Sequence, residues 1–156
     1  MRTRGSINGP LVLVLVGFVF LLACGCSRGS KVTGVVTLDG KPLASAQVVF
    51  VPQGGKKADK TLRGASTTTD SDGKFEVRPR KGDKEALKPG KYTVFITRLV
   101  DKNGKVPTEE DFGILEAEGK LHDELKDKFN DQETPQLGVE IKPGDNELKP
   151  FDLKSK

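Results

Sequence analysis

Few residues in this chain can do chemistry, and they are scattered. The two thiols, Cys24 and Cys26, stand one residue apart, and His122 is the only histidine. Asp70-Ser71-Asp72-Gly73 sets two carboxylates two residues apart ahead of a glycine. A Cys24–Cys26 disulfide is geometrically poor, because cysteines with one residue between them rarely meet the bridge constraints. Nucleophilic catalysis of the Ser-His-Asp or Cys-His kind needs an imidazole held among folded strands. His122 lies instead in a polar, acidic stretch. A zinc site built from two histidines and a glutamate lacks its second histidine. Asp70 and Asp72 are the only sensible calcium ligands. An EF-hand loop counted from Asp70 would need a glutamate at its twelfth position, which is Lys81. A tight turn is the simpler reading of that pair. No catalytic set and no cofactor is expected, so the chain reads as a non-enzyme.

The thiols are positioned by the segment in front of them. Arg2 and Arg4 give a positive start, and residues 11–23 form an apolar run of 13. A charged start, a short apolar run and small residues at its end describe a secretory signal. A spanning helix needs about 20 apolar residues, and even residues 11–26 supply only 16. Both cysteines fall here, so the rest of the chain has no disulfide framework and no thiolate metal site. Leu21-Leu22-Ala23-Cys24 resembles the lipobox of bacterial lipoproteins. That resemblance implies a diacylglycerol thioether on Cys24 and cleavage just before it, with Cys26 as the alternative site. Residues 1–23 are then a signal peptide and 24–30 a lipidated cysteine with its tether.

Beyond the tether, short apolar runs alternate with turn signals. Strands are expected over 31–38, 43–51, 65–69, 75–78, 91–98, 137–142 and 148–153. Asp39-Gly40 is a hairpin turn signal, because both positions tolerate positive φ. The strand at 65–69 suits a sheet edge, and Pro150 places the last strand at an edge as well. In 91–98, Tyr92, Val94 and Ile96 share one face and Thr93, Phe95 and Thr97 the other. Residues 99–136 break the pattern. From 100 to 136 there are 11 acidic residues against 5 lysines, a net of −6. Thr108-Glu109-Glu110-Asp111 resembles a capped helix start. Leu121, Leu125 and Phe129 recur every four residues, which fits a short helix or two or, more cheaply, a semi-ordered surface excursion pinned by those apolar residues. Seven short strands argue one all-β sandwich over 31–156, with 99–136 as a part-helical insertion before the last two strands.

The ordered run VTGVVTLDGKPLASAQVVFVP (32–52), TDSDGKFEV (69–77) and PGKYTV (89–94) resembles the carboxypeptidase regulatory-like, or transthyretin-like, domain. Together with the lipobox and a closing VEIKPGDNELKPFDL (139–153), it resembles small secreted lipoproteins of planctomycete-type bacteria. The resemblance implies a seven-stranded Greek-key sandwich and no common activity. The related urate-pathway hydrolases use several histidines, which this chain cannot supply. Leu87, Pro89, Gly90 and Tyr92 have the spacing of a tyrosine corner. Gly34 relieves crowding in a strand and Gly40 in a turn.

Charge narrows the partners. Past the signal there are 24 basic and 22 acidic residues, too even a balance for a nucleic-acid surface. Residues 56–63 and 80–91 each carry a net +3. If the strands alternate in direction, both loops and the tether share one end, near membrane lipid, and the acidic insertion leaves from the other. The expected role is a non-catalytic binding or structural module of the cell envelope, lipid-anchored in the cell or outer membrane and facing periplasm or exterior. Its partner would be an envelope protein or polysaccharide. The alternatives are a calcium-assisted carbohydrate-binding accessory domain and a subunit of an envelope assembly.

Overall fold

A computed structural model describes residues 30–54, 62–125 and 128–155. The signal segment, both cysteines and most of the basic loop at 56–63 lie outside the described residues.

The protein is a β-sandwich. One sheet is built on β1 (Val32–Leu38). On one side β1 pairs antiparallel with β5 (Lys74–Val77) and with β2 (Lys41–Pro42). On the other it pairs in parallel with β10 (Asn146–Glu147) and β11 (Phe151–Leu153). The second sheet is antiparallel, in the order β4 (Ala65–Thr68), β3 (Gln47–Pro52), β6 (Gly90–Thr97), β9 (Leu137–Ile141). Links β1 to β3, β4 to β5, β5 to β6 and β9 to β11 cross between the sheets, the Greek-key habit of such sandwiches. A small ribbon pairs β7 (Leu99–Val100) with β8 (His122–Asp123), and helix α1 spans Glu109–Ala117.

Alternation decides what is buried. Val32 and Val36 of β1, Phe75 and Val77 of β5, and Phe151 and Leu153 of β11 face inward. Val48 and Phe50 of β3, with Tyr92, Val94 and Ile96 of β6, meet them from the other sheet. The aromatic centre is Phe75, whose ring lies 6.0 Å from Phe50 and 6.1 Å from Phe151. That ring needs the space over Gly34, its register partner. A Cβ at Gly34 would fall 2.5 Å from Phe75 Cζ. The hairpin after β1 has Asp39 at φ 50° and Gly40 at φ 81°, the pair of positive angles a tight two-residue loop requires.

Three expectations are corrected. The strand expected over 43–51 begins only at Gln47, because the chain uses Leu43–Ala46 to cross between sheets. The Thr69 hydroxyl ties that crossing, accepting from Ala46 N at 2.9 Å and donating to Leu43 O at 2.6 Å. The last strand, expected over 148–153, is instead the pair β10 and β11, and the gap between them holds Pro150. Of the two readings of 121–129, the helix is absent from the described residues of that stretch, and Leu125 and Phe129 do pin the excursion to the core. Asp123 Oδ1 accepts from the backbone N–H of Arg98 and of Leu125, and β8 pairs with β7. Local carboxylate bonding of this kind competes with helix. The fourfold spacing marked burial all the same, since Leu125 and Phe129 are core residues.

Candidate functional site

The register assigns each loop to an end. At one end, which we call proximal, lie Ser30, the chain after β3, the link from β5 to β6 and the turn at 142–145. At the other, distal end lie the turn at 69–73, the crossing at 43–46 and the excursion from 98 to 125, while residues 130–135 run back beside the outer face of β3 and β6. The principal strands do alternate in direction.

The proximal end is where the described chain begins. Ser30 N donates to Lys84 O and Ser30 O accepts from Ala86 N, both at 2.9 Å. Lys31 N is bonded to Asp145 Oδ1 at 2.9 Å. Arg80 Nη2 reaches Gly64 O at 3.2 Å, so the two basic loops touch. Glu76, in β5, lies between Lys31 and Arg78, and the Arg78 guanidinium holds its carboxyl below the usual range. Tyr92 closes the link into β6, donating its hydroxyl to Lys88 O at 2.9 Å, the tyrosine corner expected from the spacing.

The distal end carries a cleft of about 340 Å³ between the sheet ends and the start of the excursion. Ser45, Gln47, Thr68 and Thr97 contribute hydroxyl and amide groups, and Leu99 and Phe112 contribute apolar surface. Helix α1 begins at its rim. Thr108 caps it, accepting from Asp111 N at 3.2 Å while its hydroxyl donates to Asp111 Oδ2 at 2.8 Å. Clefts of this kind, part apolar with a few placed polar groups, are the usual form of a small ligand site.

Asp70 and Asp72 stand at the distal end, in the turn before β5. Asp70 Oδ1 accepts from the N–H of Asp72 and of Lys74, each at 2.9 Å, and Asp72 Oδ2 meets Lys74 Nζ at 3.2 Å. These carboxylates build the turn, Asp70 through backbone N–H groups and Asp72 beside the Lys74 ammonium. Among the described residues, no three of His, Cys, Asp and Glu converge as a metal site. His122 is exposed on β8, away from the cleft lining. Among the described residues no helix is long and apolar enough to cross a membrane. The cleft itself was not legible in the sequence. Its lining comes from four separate segments of ordinary hydroxyl and amide residues, with no local motif.

Neither a family model nor a curated protein matches the sequence. Among solved structures, a DUF3823 family protein from Parabacteroides merdae matches 80% of this chain at 18% identity and a TM-score of 0.35. The chain spans 44% of that protein's length. A protein from Pseudomonas aeruginosa, provisionally described as carbohydrate binding, matches 81% of this chain and 88% of its own at 13% identity and a TM-score of 0.36.

Proposed function

We propose that this protein is a non-catalytic binding module of a bacterial cell envelope, held to the membrane by acyl chains on Cys24 and presenting its distal end to a partner. One observation carries the reading. The chain enters the sandwich at Ser30, pinned between Lys84 and Ala86 at the proximal end. Cys24 lies six residues earlier, a reach of at most ~20 Å at ~3.3–3.6 Å per residue. An acyl anchor on Cys24 therefore keeps the proximal end within about 20 Å of the bilayer, at the end of the domain opposite the distal cleft. Two or three acyl chains hold a protein where one would not, since each buried CH₂ contributes about 0.8 kcal/mol.

The cleft suits an uncharged partner rich in hydroxyls, either polysaccharide or a polar protein segment. Ser45, Gln47, Thr68 and Thr97 can donate and accept, while Leu99 and Phe112 take an apolar face. The Asp70–Asp72 turn gives no reason to add calcium, because its carboxylates already hold backbone N–H groups and Lys74.

The test is the intact mass of the mature protein from membranes, wild type beside Cys24→Ser. A diacylglycerol mass on a chain that begins at Cys24, lost in the variant, is the expected result. Lipid retained in the variant moves the anchor to Cys26. An unmodified wild-type chain overturns the reading.

A further inference from the structure

We infer that the proximal end is an anionic-lipid contact surface, which sets the domain upright on the bilayer with its acidic excursion pointing away. This rests on the anchored reading above and adds a chemistry for the surface beneath the domain. Residues 78–91 hold six basic side chains and two acidic ones, a net of +4. The link from β5 to β6 carries most of them on exposed chain that meets the core only through Leu87 and, in part, Ala86. Lys81, Lys84 and Lys88 are exposed, and no described carboxylate pairs with their ammonium groups. Arg80 ties this loop to Gly64, beside Arg63 of the second basic loop. The opposite end carries residues 100–125, eight acidic residues against three lysines, a net of −5.

Two independent features thus point the same way. Ser30 is bonded to Lys84 and Ala86 of the basic loop itself, so the described chain begins beside these lysines. A phosphatidylglycerol-rich leaflet attracts basic groups within about a Debye length, ~8–10 Å at physiological salt, and repels the acidic end. Attachment alone would leave the domain free to tip. Attraction at one end and repulsion at the other give it a preferred orientation.

The experiment uses the chain from Ser27 to Lys156, which retains every core residue of the sandwich. Its co-sedimentation is measured with phosphatidylglycerol–phosphatidylcholine vesicles and with phosphatidylcholine alone. The expected result is binding to the anionic vesicles only, falling as salt rises. Lys81→Gln, Lys84→Gln and Lys88→Gln together should weaken it at least about ten-fold. A distal control, Lys102→Gln with Lys105→Gln and Lys120→Gln, changes net charge equally and should leave it unaltered. Absent binding by the wild type, unchanged binding by the proximal variant, or equal loss in the distal control overturns the inference. Because this chain carries no cysteine, the outcome is independent of the mass measurement. The anchor and the surface can fail separately.

Discussion

Tyr92 shows how one side chain joins two roles. Its ring is fully buried in the core, while its hydroxyl reaches the Lys88 carbonyl at the base of the basic loop. Burial, and secondarily the Glu85 charge, push its phenol above the ordinary 10.0. The raised value means that folding favours the neutral phenol. The stability this contributes is complete below pH 10.0 and is lost as pH rises through the folded-state value. Tyr92 is the only tyrosine and there is no tryptophan, so phenolate absorbance reports this residue alone. It should titrate later than free tyrosine, together with alkaline unfolding. Tyr92→Phe should cost about 1 kcal/mol in denaturant unfolding, the worth of one hydrogen bond, with the ring still packed. The tyrosine corner was readable in the sequence because its four residues lie within six positions. Ser45, Gln47, Thr68 and Thr97 were not, because strand pairing alone brings them together.

At the scale of elements, the strands follow their own alternation, and the excursion follows its contacts. Helix α1 has no buried residue and leaves Ile114 61% exposed. Nine residues are too few for a stable helix alone, so its Thr108 cap and acidic first turn are what favour it. The rest of the excursion is shaped by side-chain carboxylates. Asp101 accepts from Asn103 N and Lys105 N, and Asp131 from Glu133 N and Thr134 N. The Lys105 N–H bond first, for Asp101, and the Thr134 hydroxyl first, for Asp131, hold both carboxyls below the ordinary 3.8. Depressed values stabilise these turns above pH 3.8, and the contribution fades as pH falls through the folded-state values. NMR should show both carboxylates titrating below 3.8. The amide shifts of Asn103, Lys105, Glu133 and Thr134 should move with them.

For the whole molecule, the excursion belongs to the sandwich. Leu125 and Phe129 are core residues, and Ile96 N in β6 donates to Phe129 O at 3.0 Å. The excursion thereby takes over the edge of β6 beyond the end of its pairing with β9, which stops at Val94. Leu125→Ala should destabilise the entire domain by about 2–5 kcal/mol, as for other buried leucines. Urea unfolding followed by Tyr92 fluorescence would measure it. An unchanged midpoint would mean that the excursion folds apart from the sheets. The charge asymmetry also belongs to this scale, since it exists only once alternating strands sort the loops to two ends.

The sequence by itself determined the number and place of the main strands, the Asp39-Gly40 hairpin, the tyrosine corner and the capped start of α1. Each depends on interactions within a few residues, where period and turn chemistry act directly. Tertiary structure decided the rest. The parallel docking of β10 and β11 on β1 pairs residues more than a hundred positions apart. Leu121 and Leu125 have the spacing of a helix, yet Asp123 and the β7–β8 ribbon hold residues 122–125 out of one. The cleft arises from the same cause: no neighbourhood of the chain encodes it, and it appears only when hydrophobic burial closes one sheet over the other, whereas the two charged ends followed from the alternation of the strands.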